Sequence, residues 1–308
     1  MRIVILDGYT LSQGRPVWGS LADQGELVVH DRTPADQIVD RAQGAEIVLT
    51  NKAPLKEETL ERLPALRFIS VIATGYNCVD VAAARRRNIP VSNVPEYGTD
   101  SVAQLTIALL LELCHRAGDH DRAVKDGEWS GSPDWCFWKH PLTELAGLKM
   151  GIVGYGRIGR KVGEIARAFG MTVLSASRSQ KDGIPGIFEA ADVVSLHCPE
   201  TPETRGFVTP ALLRRMKKSA FLLNTSRGSL IDEHGLAEAL NQGVIAGAAL
   251  DVVSQEPIRP DNPLLKARNC ILTPHLAWAT EAARKRLIAE TAGNVAAYRE
   301  GRPRNVVN

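Results

Sequence analysis

Short apolar runs recur along this chain, each closed by polar turn residues, and apolar positions at helical spacing fill the intervals. In the first third the runs predict strands at residues 2–6, 26–30, 46–50, 68–73 and 90–93, with a helix over 79–87. A second series predicts strands at 149–153, 172–176, 193–197, 221–224, 246–250 and 270–273, with a helix over 157–169. Short, nearly continuous apolar strands alternating with helices imply parallel sheets covered by helices on both faces, an α/β fold. A helix over 99–113 and a polar, Trp-containing stretch to residue 140 join the two series, and a last helix spans 281–300. Such a tail often returns to the domain where the chain began. The expected division is 1–98 plus 284–308 for one domain and 99–283 for the other.

Composition narrows the class without naming a chemistry. At 308 residues the chain has ample core for two domains and needs no disulfide or metal to fold. With 23% charged residues and a net charge of +2, it gives no electrostatic reason to expect nucleic acid or a membrane as partner. The basic runs at 85–87 and 214–218 read as helix ends, where the dipole favours cations. Five cysteines, none spaced as CxxC, argue against a disulfide framework or a zinc site and fit the cytoplasm. The first strand begins at once after Met1, so no leader is expected, and the longest apolar run, near 105–113, is too short to span a bilayer.

Gly154-Tyr155-Gly156-Arg157-Ile158-Gly159 is a GxGxxG turn between a strand and a helix. The first glycine permits the turn, the second lets backbone approach a pyrophosphate, and the third lets helix and strand pack. The helix N-terminus attracts the anion. NAD-binding turns of this kind place an acid about 20 residues further on. Here the next strand runs into Ser177 and Arg178, with Lys181 nearby and no carboxylate at its end. Arg178 can pair with a 2′-phosphate and Ser177 can hydrogen-bond it, so NADP is the expected cofactor. NAD is the alternative, with Arg178 a solvated residue stacking on adenine.

Arg227, Glu256 and His275 each follow one of three consecutive strands. Ligands of parallel α/β sheets bind at the carboxyl ends of strands, which predicts that the three converge. Reduction of a 2-keto acid needs such a set. Histidine exchanges a proton at the carbonyl oxygen, a carboxylate beside the imidazole favours its charged form and orients it, and arginine clamps the substrate carboxylate. Singly, each is more often a hydrogen-bonded structural residue than a catalytic one, and the force lies in finding all three after a dinucleotide turn. The 72–77 turn is a further candidate, with the amides of Ala73, Thr74 and Gly75 able to bind a carboxylate or simply to turn the chain.

With these residues together, the chain resembles the D-isomer-specific 2-hydroxyacid dehydrogenase family over nearly its whole length. The matching motifs are the glycine turn, His197-Cys198-Pro199, Asn224-Thr225-Ser226-Arg227-Gly228, Leu250-Asp251-Val252 with Glu256-Pro257, and Thr273-Pro274-His275-Leu276-Ala277-Trp278. The resemblance implies a flavodoxin-like substrate domain and a Rossmann cofactor domain. It makes Arg227, Glu256 and His275 catalytic, with Arg227 and His275 also contacting substrate alongside Ala73, Thr74 and Gly75. It assigns Gly154, Gly156, Arg157, Ile158, Gly159, His197, Cys198, Pro199, Thr204, Thr225 and Ser226 to the cofactor, and Asp251 to its carboxamide. No metal is implied. Many members carry Asp where this chain has Ser177.

The resemblance also implies a homodimer in which residues 99–140 supply much of the contact. In glyoxylate/hydroxypyruvate reductases of the family an aromatic from this region can reach the neighbouring subunit's site; Trp135 or Trp138 does so here, or simply packs the dimer. The phrasing around Ala73 and His275 is most similar to glycerate dehydrogenases. Hydroxypyruvate to D-glycerate is the first expectation, glyoxylate to glycolate the second, and D-lactate dehydrogenase an alternative. Some relatives are dinucleotide-sensing corepressors; with no extended tail after the last helix, an enzyme is expected instead.

Overall fold

In a computed structural model that describes residues 1–176 and 183–308, the chain forms two units, Met1–Gly98 with Ala279–Asn308 and Thr99–Trp278. The return crossing comes a few residues before the expected 284. Thr280 caps the last helix, Glu281–Arg299, by accepting the Ala283 amide, so the helix enters the first unit whole.

The first unit is a five-stranded parallel sheet of β1 (Arg2–Ile5), β2 (Glu26–Val29), β3 (Ile47–Thr50), β4 (Phe68–Val71) and β5 (Val91–Ser92), in the order β2-β1-β3-β4-β5. β3 and β4 are buried throughout, which explains their unbroken apolar reading. The C-terminal helix buries Leu287 and Val295, and Tyr298 stacks on Phe68 with ring centroids 4.4 Å apart. Beyond it the chain reaches β5, where Val307 donates its amide to the Val91 carbonyl.

The second unit is a six-stranded sheet of β6 (Lys149–Val153), β7 (Thr172–Ala176), β8 (Val193–Leu196), β9 (Phe221–Asn224), β10 (Gly247–Leu250) and β11 (Cys270–Leu272), all pairs parallel, in the order β11-β10-β9-β8-β6-β7. The chain moves one way from β6 to β7 and the other way from β8 to β11. The order reverses between β6 and β8, where an open α/β sheet leaves a crevice outside its carboxyl ends. Helix Thr99–His115 buries Leu109, Leu110 and Leu113 in the core.

Several elements are shorter than their apolar runs. Ile72, Ala73, His197 and Thr273 leave the ladder and enter loops at the carboxyl ends of their strands. The helix expected from residue 79 begins at Val81, because the Asp80 side chain caps the Ala83 amide at 2.9 Å. The helix expected to stop at 113 runs on to His115.

Candidate active site

β6 ends at Val153 and turns through Gly154 and Gly156 into the helix Arg157–Ala168. Gly154 has φ +95°, and a Cβ there would lie 2.5 Å from the Cys198 nitrogen and 2.6 Å from the His197 carbonyl carbon. The loops that follow β6 and β8 can touch only because this residue lacks a side chain. A Cβ on Gly156 would meet nothing within 4 Å, so backbone there has room for a pyrophosphate. Gly156 caps the helix with no side-chain hydrogen bond, which leaves the dipole and first-turn amides to an anion.

A cavity of about 880 Å³ opens beside this turn. Gly154, Gly156, His197, Cys198, Pro199 and Thr204 line it, as expected of cofactor residues. Thr204 fixes its own loop, donating to the Pro199 carbonyl at 2.8 Å and accepting the Thr201 amide at 2.7 Å. Tyr155, Phe207, Leu212 and Arg215 also form the walls, though no pattern in the sequence marks them. Arg215, read as part of a basic helix end, faces the cavity and pairs with Glu189 at 2.5 Å. Of the other expected residues, Arg157, Ile158 and Gly159 form the first turn of the helix. Thr225 is buried with its hydroxyl 2.9 Å from that of Thr106, so its side chain serves the core. The Ser226 hydroxyl donates to the Asn224 side-chain oxygen at 3.1 Å. Ser177 and Arg178 follow Ala176 and lie outside the described residues.

His197 borders the cavity, yet its ring is closed in, with Nε2 2.8 Å from the Ser195 hydroxyl. Burial lowers its pKa to about 4, and it is neutral at pH 7. In an unfolded chain this imidazole takes a proton near pH 6.5, whereas the folded one does not until about pH 4. Its contribution to stability is therefore complete above pH 6.5 and is lost as pH falls towards 4. Contact with the open cavity trims the effect to about 2 kcal/mol. His197→Gln should flatten the fall in melting temperature between pH 7 and 4.5; an unchanged slope would remove His197 from this role.

His275 Nδ1 lies 2.6 Å from Glu256 Oε2, with both side chains about one-third exposed (28% and 34%). The sequence expectation that this imidazole and this carboxylate meet is realised in the geometry. His275 takes φ +51°, a left-handed conformation rare outside glycine, and its amide donates to the Asp251 carbonyl at 2.8 Å. The buried Asp251 carboxylate holds that turn in shape: it accepts the Thr273 hydroxyl at 2.6 Å and the amides of Leu276 and Ala277 at 2.9 and 2.8 Å. Burial pushes its carboxyl above the usual range, and these bonds pull it back.

The loop carrying Glu256 is held from below by Glu233, which accepts the Ser254 amide and hydroxyl and the Asn262 side-chain amide. A Cβ on Gly228 would lie 1.9 Å from the Val253 carbonyl carbon, so the Arg227 turn packs directly against this loop. Arg227 is half-buried; its guanidinium donates to the Ser226 carbonyl at 2.6 Å, and its own carbonyl accepts from Asn224 at 2.8 Å. The three residues sit at the ends of β9, β10 and β11, on the far side of the switch point from β7.

In the first unit, Ile72 to Asn77 leave β4 as a loop. The Thr74 hydroxyl donates to the Val94 carbonyl at 2.8 Å, and the Thr74 carbonyl accepts from Asn93 at 2.7 Å. Among the described residues, no acceptor takes the amides of Ala73, Thr74 or Gly75. Elsewhere, Trp135 and Trp138 are 87% and 67% exposed, an unusual placement for tryptophan.

A family model described as "D-isomer specific 2-hydroxyacid dehydrogenase, NAD binding domain" matches residues 107–277. The chain belongs to the D-isomer-specific 2-hydroxyacid dehydrogenase family. A hydroxypyruvate reductase of Blautia hydrogenotrophica is 48% identical over the full length of both chains. A glycerate dehydrogenase of Methylorubrum extorquens is 40% identical over 88% of each. Among solved structures, an NADPH-dependent glyoxylate/hydroxypyruvate reductase of Sinorhizobium meliloti, in complex with NADP and malonate, superposes with a TM-score of 0.85 at 28% identity, covering 99% of this chain and 96% of that one. As a D-2-hydroxyacid dehydrogenase the protein is an oxidoreductase that uses a nicotinamide dinucleotide. Among the described residues no helix is long and apolar enough to cross a membrane.

Proposed function

We propose that this dehydrogenase reduces hydroxypyruvate to D-glycerate, and glyoxylate to glycolate, with NADPH as the preferred reductant. The observation that carries the chemistry is the 2.6 Å pair of His275 and Glu256 beside the dinucleotide crevice. The name and full-length identity of the Blautia relative support the substrate. The absence of an acid at Ser177, with Arg178 next to it, supports NADPH.

When bound, the reduced nicotinamide supplies a hydride to C2 of the keto acid. Glu256 accepts the Nδ1 proton of His275, which fixes the tautomer and leaves Nε2 to give a proton to the carbonyl oxygen. The imidazolium that gives this proton is stabilised beforehand by the same carboxylate, and the ring is left neutral once the carbonyl oxygen has taken the proton. Arg227 and the amides of Ala73, Thr74 and Gly75 hold the substrate carboxylate, and Arg227 polarises the carbonyl. Asp251 serves the cofactor carboxamide and, through its hydrogen bonds, keeps His275 in place.

The active form is read as a homodimer with residues 99–140 at the contact, a role that suits exposed Trp135 and Trp138. Five free thiols support a cytoplasmic site of action. Steady-state oxidation of NADPH and of NADH should be measured separately with hydroxypyruvate, glyoxylate and pyruvate. NADPH with hydroxypyruvate should give the highest kcat/KM. A strong preference for NADH would overturn the reading of Ser177 and Arg178, and no turnover of any keto acid would favour a dinucleotide-sensing role.

A further inference from the structure

Glu256 rides on a loop that packing hardly fastens. Between Ser254 and Asp261 every residue but Ile258 is exposed, and Ile258 is only half-buried. The shape of the loop therefore depends on its hydrogen bonds. Glu256 Oε1 accepts the Val253 amide at 3.4 Å while Oε2 meets His275. Further on, the Asn262 amide donates to the Arg259 carbonyl at 3.1 Å, and the Asn262 side chain accepts the Leu264 amide at 3.0 Å.

One carboxylate closes this loop at its base. Glu233 Oε1 accepts the Ser254 amide at 2.5 Å, and Oε2 accepts the Ser254 hydroxyl at 2.8 Å and the Asn262 side-chain amide at 2.9 Å. Ser254 and Asn262 stand on either side of Glu256 in the chain, so a single side chain ties both ends. Glu233 is the first residue of the helix Glu233–Asn241, which Asp232 caps by accepting the Gly235 amide at 3.0 Å and which buries Leu236 and Leu240. The clasp thus stands on a rigid element. A Cβ on Gly228 would lie 2.4 Å from the Ser254 nitrogen, so the peptide that Glu233 holds is also the one packed on the Arg227 turn.

We infer that Glu233 is a positioning residue for proton transfer, clasping both ends of the loop so that the Glu256 carboxylate stays on His275 Nδ1. The inference rests on the reading of His275 and Glu256 as the acid–base pair. Both Glu233 oxygens are engaged by the loop, so it acts through Glu256 and not on substrate. A hydrogen bond of 2.6 Å weakens quickly as its length and angle change. Displacing a group by about 1 Å can cost about a hundredfold in rate. With the clasp open, an exposed loop drifts over such distances, and the imidazolium that gives the proton loses its neighbour.

The test measures hydroxypyruvate reduction by the full chain with NADPH as a function of pH. Glu233→Ala should lower kcat by about tenfold or more, with KM and NADPH affinity little changed. On the alkaline side its activity should fall off at lower pH than in the parent, because the carboxylate that favours the imidazolium is less well placed. Glu233→Gln, which keeps one acceptor, should recover part of the loss. Should Glu233→Ala fold poorly, Asn262→Asp opens the same clasp by setting two carboxylates together while keeping the Leu264 cap, and it should show the same two changes. In a Glu256→Gln background, adding Glu233→Ala should lower kcat by less than about twofold, since the two act as a unit. An equal fall in both backgrounds, or a fall with an unmoved pH profile, would make Glu233 a structural brace and overturn the inference, as would no change at all. Glu256→Gln alone separates this from the underlying reading. If it leaves kcat and the pH profile as in the parent, the acid–base pair itself is misassigned and the inference falls with it.

Discussion

Replacement of His275 by alanine is expected to cut kcat with hydroxypyruvate by at least about a hundredfold, the usual worth of a positioned acid–base group. NADPH affinity, read by quenching or by titration calorimetry, should change little, because the cavity beside the glycine turn does not include this residue. The split matters because His275 also anchors its own turn: its amide is bonded to the Asp251 carbonyl, and Asp251 in turn holds Leu276 and Ala277. None of those bonds uses the imidazole, so they survive the substitution. The expected loss is therefore chemical, and melting temperature should stay close to that of the parent protein. Near-normal turnover would take the proton-transfer role away from His275 and leave the 2.6 Å contact with Glu256 a structural one.

Gly154→Ala is expected to damage stability and cofactor binding together. The new Cβ would sit 2.5 to 2.7 Å from backbone atoms of His197 and Cys198, on a residue whose φ of +95° already disfavours any side chain. Both neighbours are main chain and cannot rotate away. Adding the conformational penalty to that of overpacking suggests a loss of about 2–4 kcal/mol. To relieve the clash the β6 and β8 loops must part, which also distorts the pyrophosphate turn, so NADPH affinity should fall with stability. Chemical denaturation and cofactor titration on the same sample check both. A variant as stable as the parent that binds NADPH normally would show that the two loops are not in contact in solution.

Much of this layout was legible in the sequence. The strands Lys149–Val153 and Phe221–Asn224 fall where their apolar runs predict, because strands buried on both faces have few polar positions to blur their ends; the edge strand Thr172–Ala176 also falls where predicted although it is only partly buried. The pairing of His275 with Glu256 was legible for a different reason: each follows a strand of the same parallel sheet, and such strands deliver their loops to one edge. Boundaries were poorer wherever a cap decides them, as Asp80 does for the helix at Val81. The supporting carboxylates were not legible at all. Asp7 and Glu233 each bind backbone amides distant in sequence, and an acidic residue before a loop looks the same whether it clamps that loop or faces water. Arg215 stands just past a helix end, as its sequence predicts, but nothing in the sequence shows that it also faces the cavity and pairs with Glu189.

The course of the chain through its two units also bears on how the protein is made. The first unit uses the stack of Tyr298 on Phe68 and the bond from Val307 to Val91, and Tyr298 and Val307 are synthesised after every strand of the second unit. The middle unit has all of its strands by Leu272. On the ribosome the unit encoded second therefore completes first, while the amino-terminal sheet waits, half covered, for the tail that finishes it.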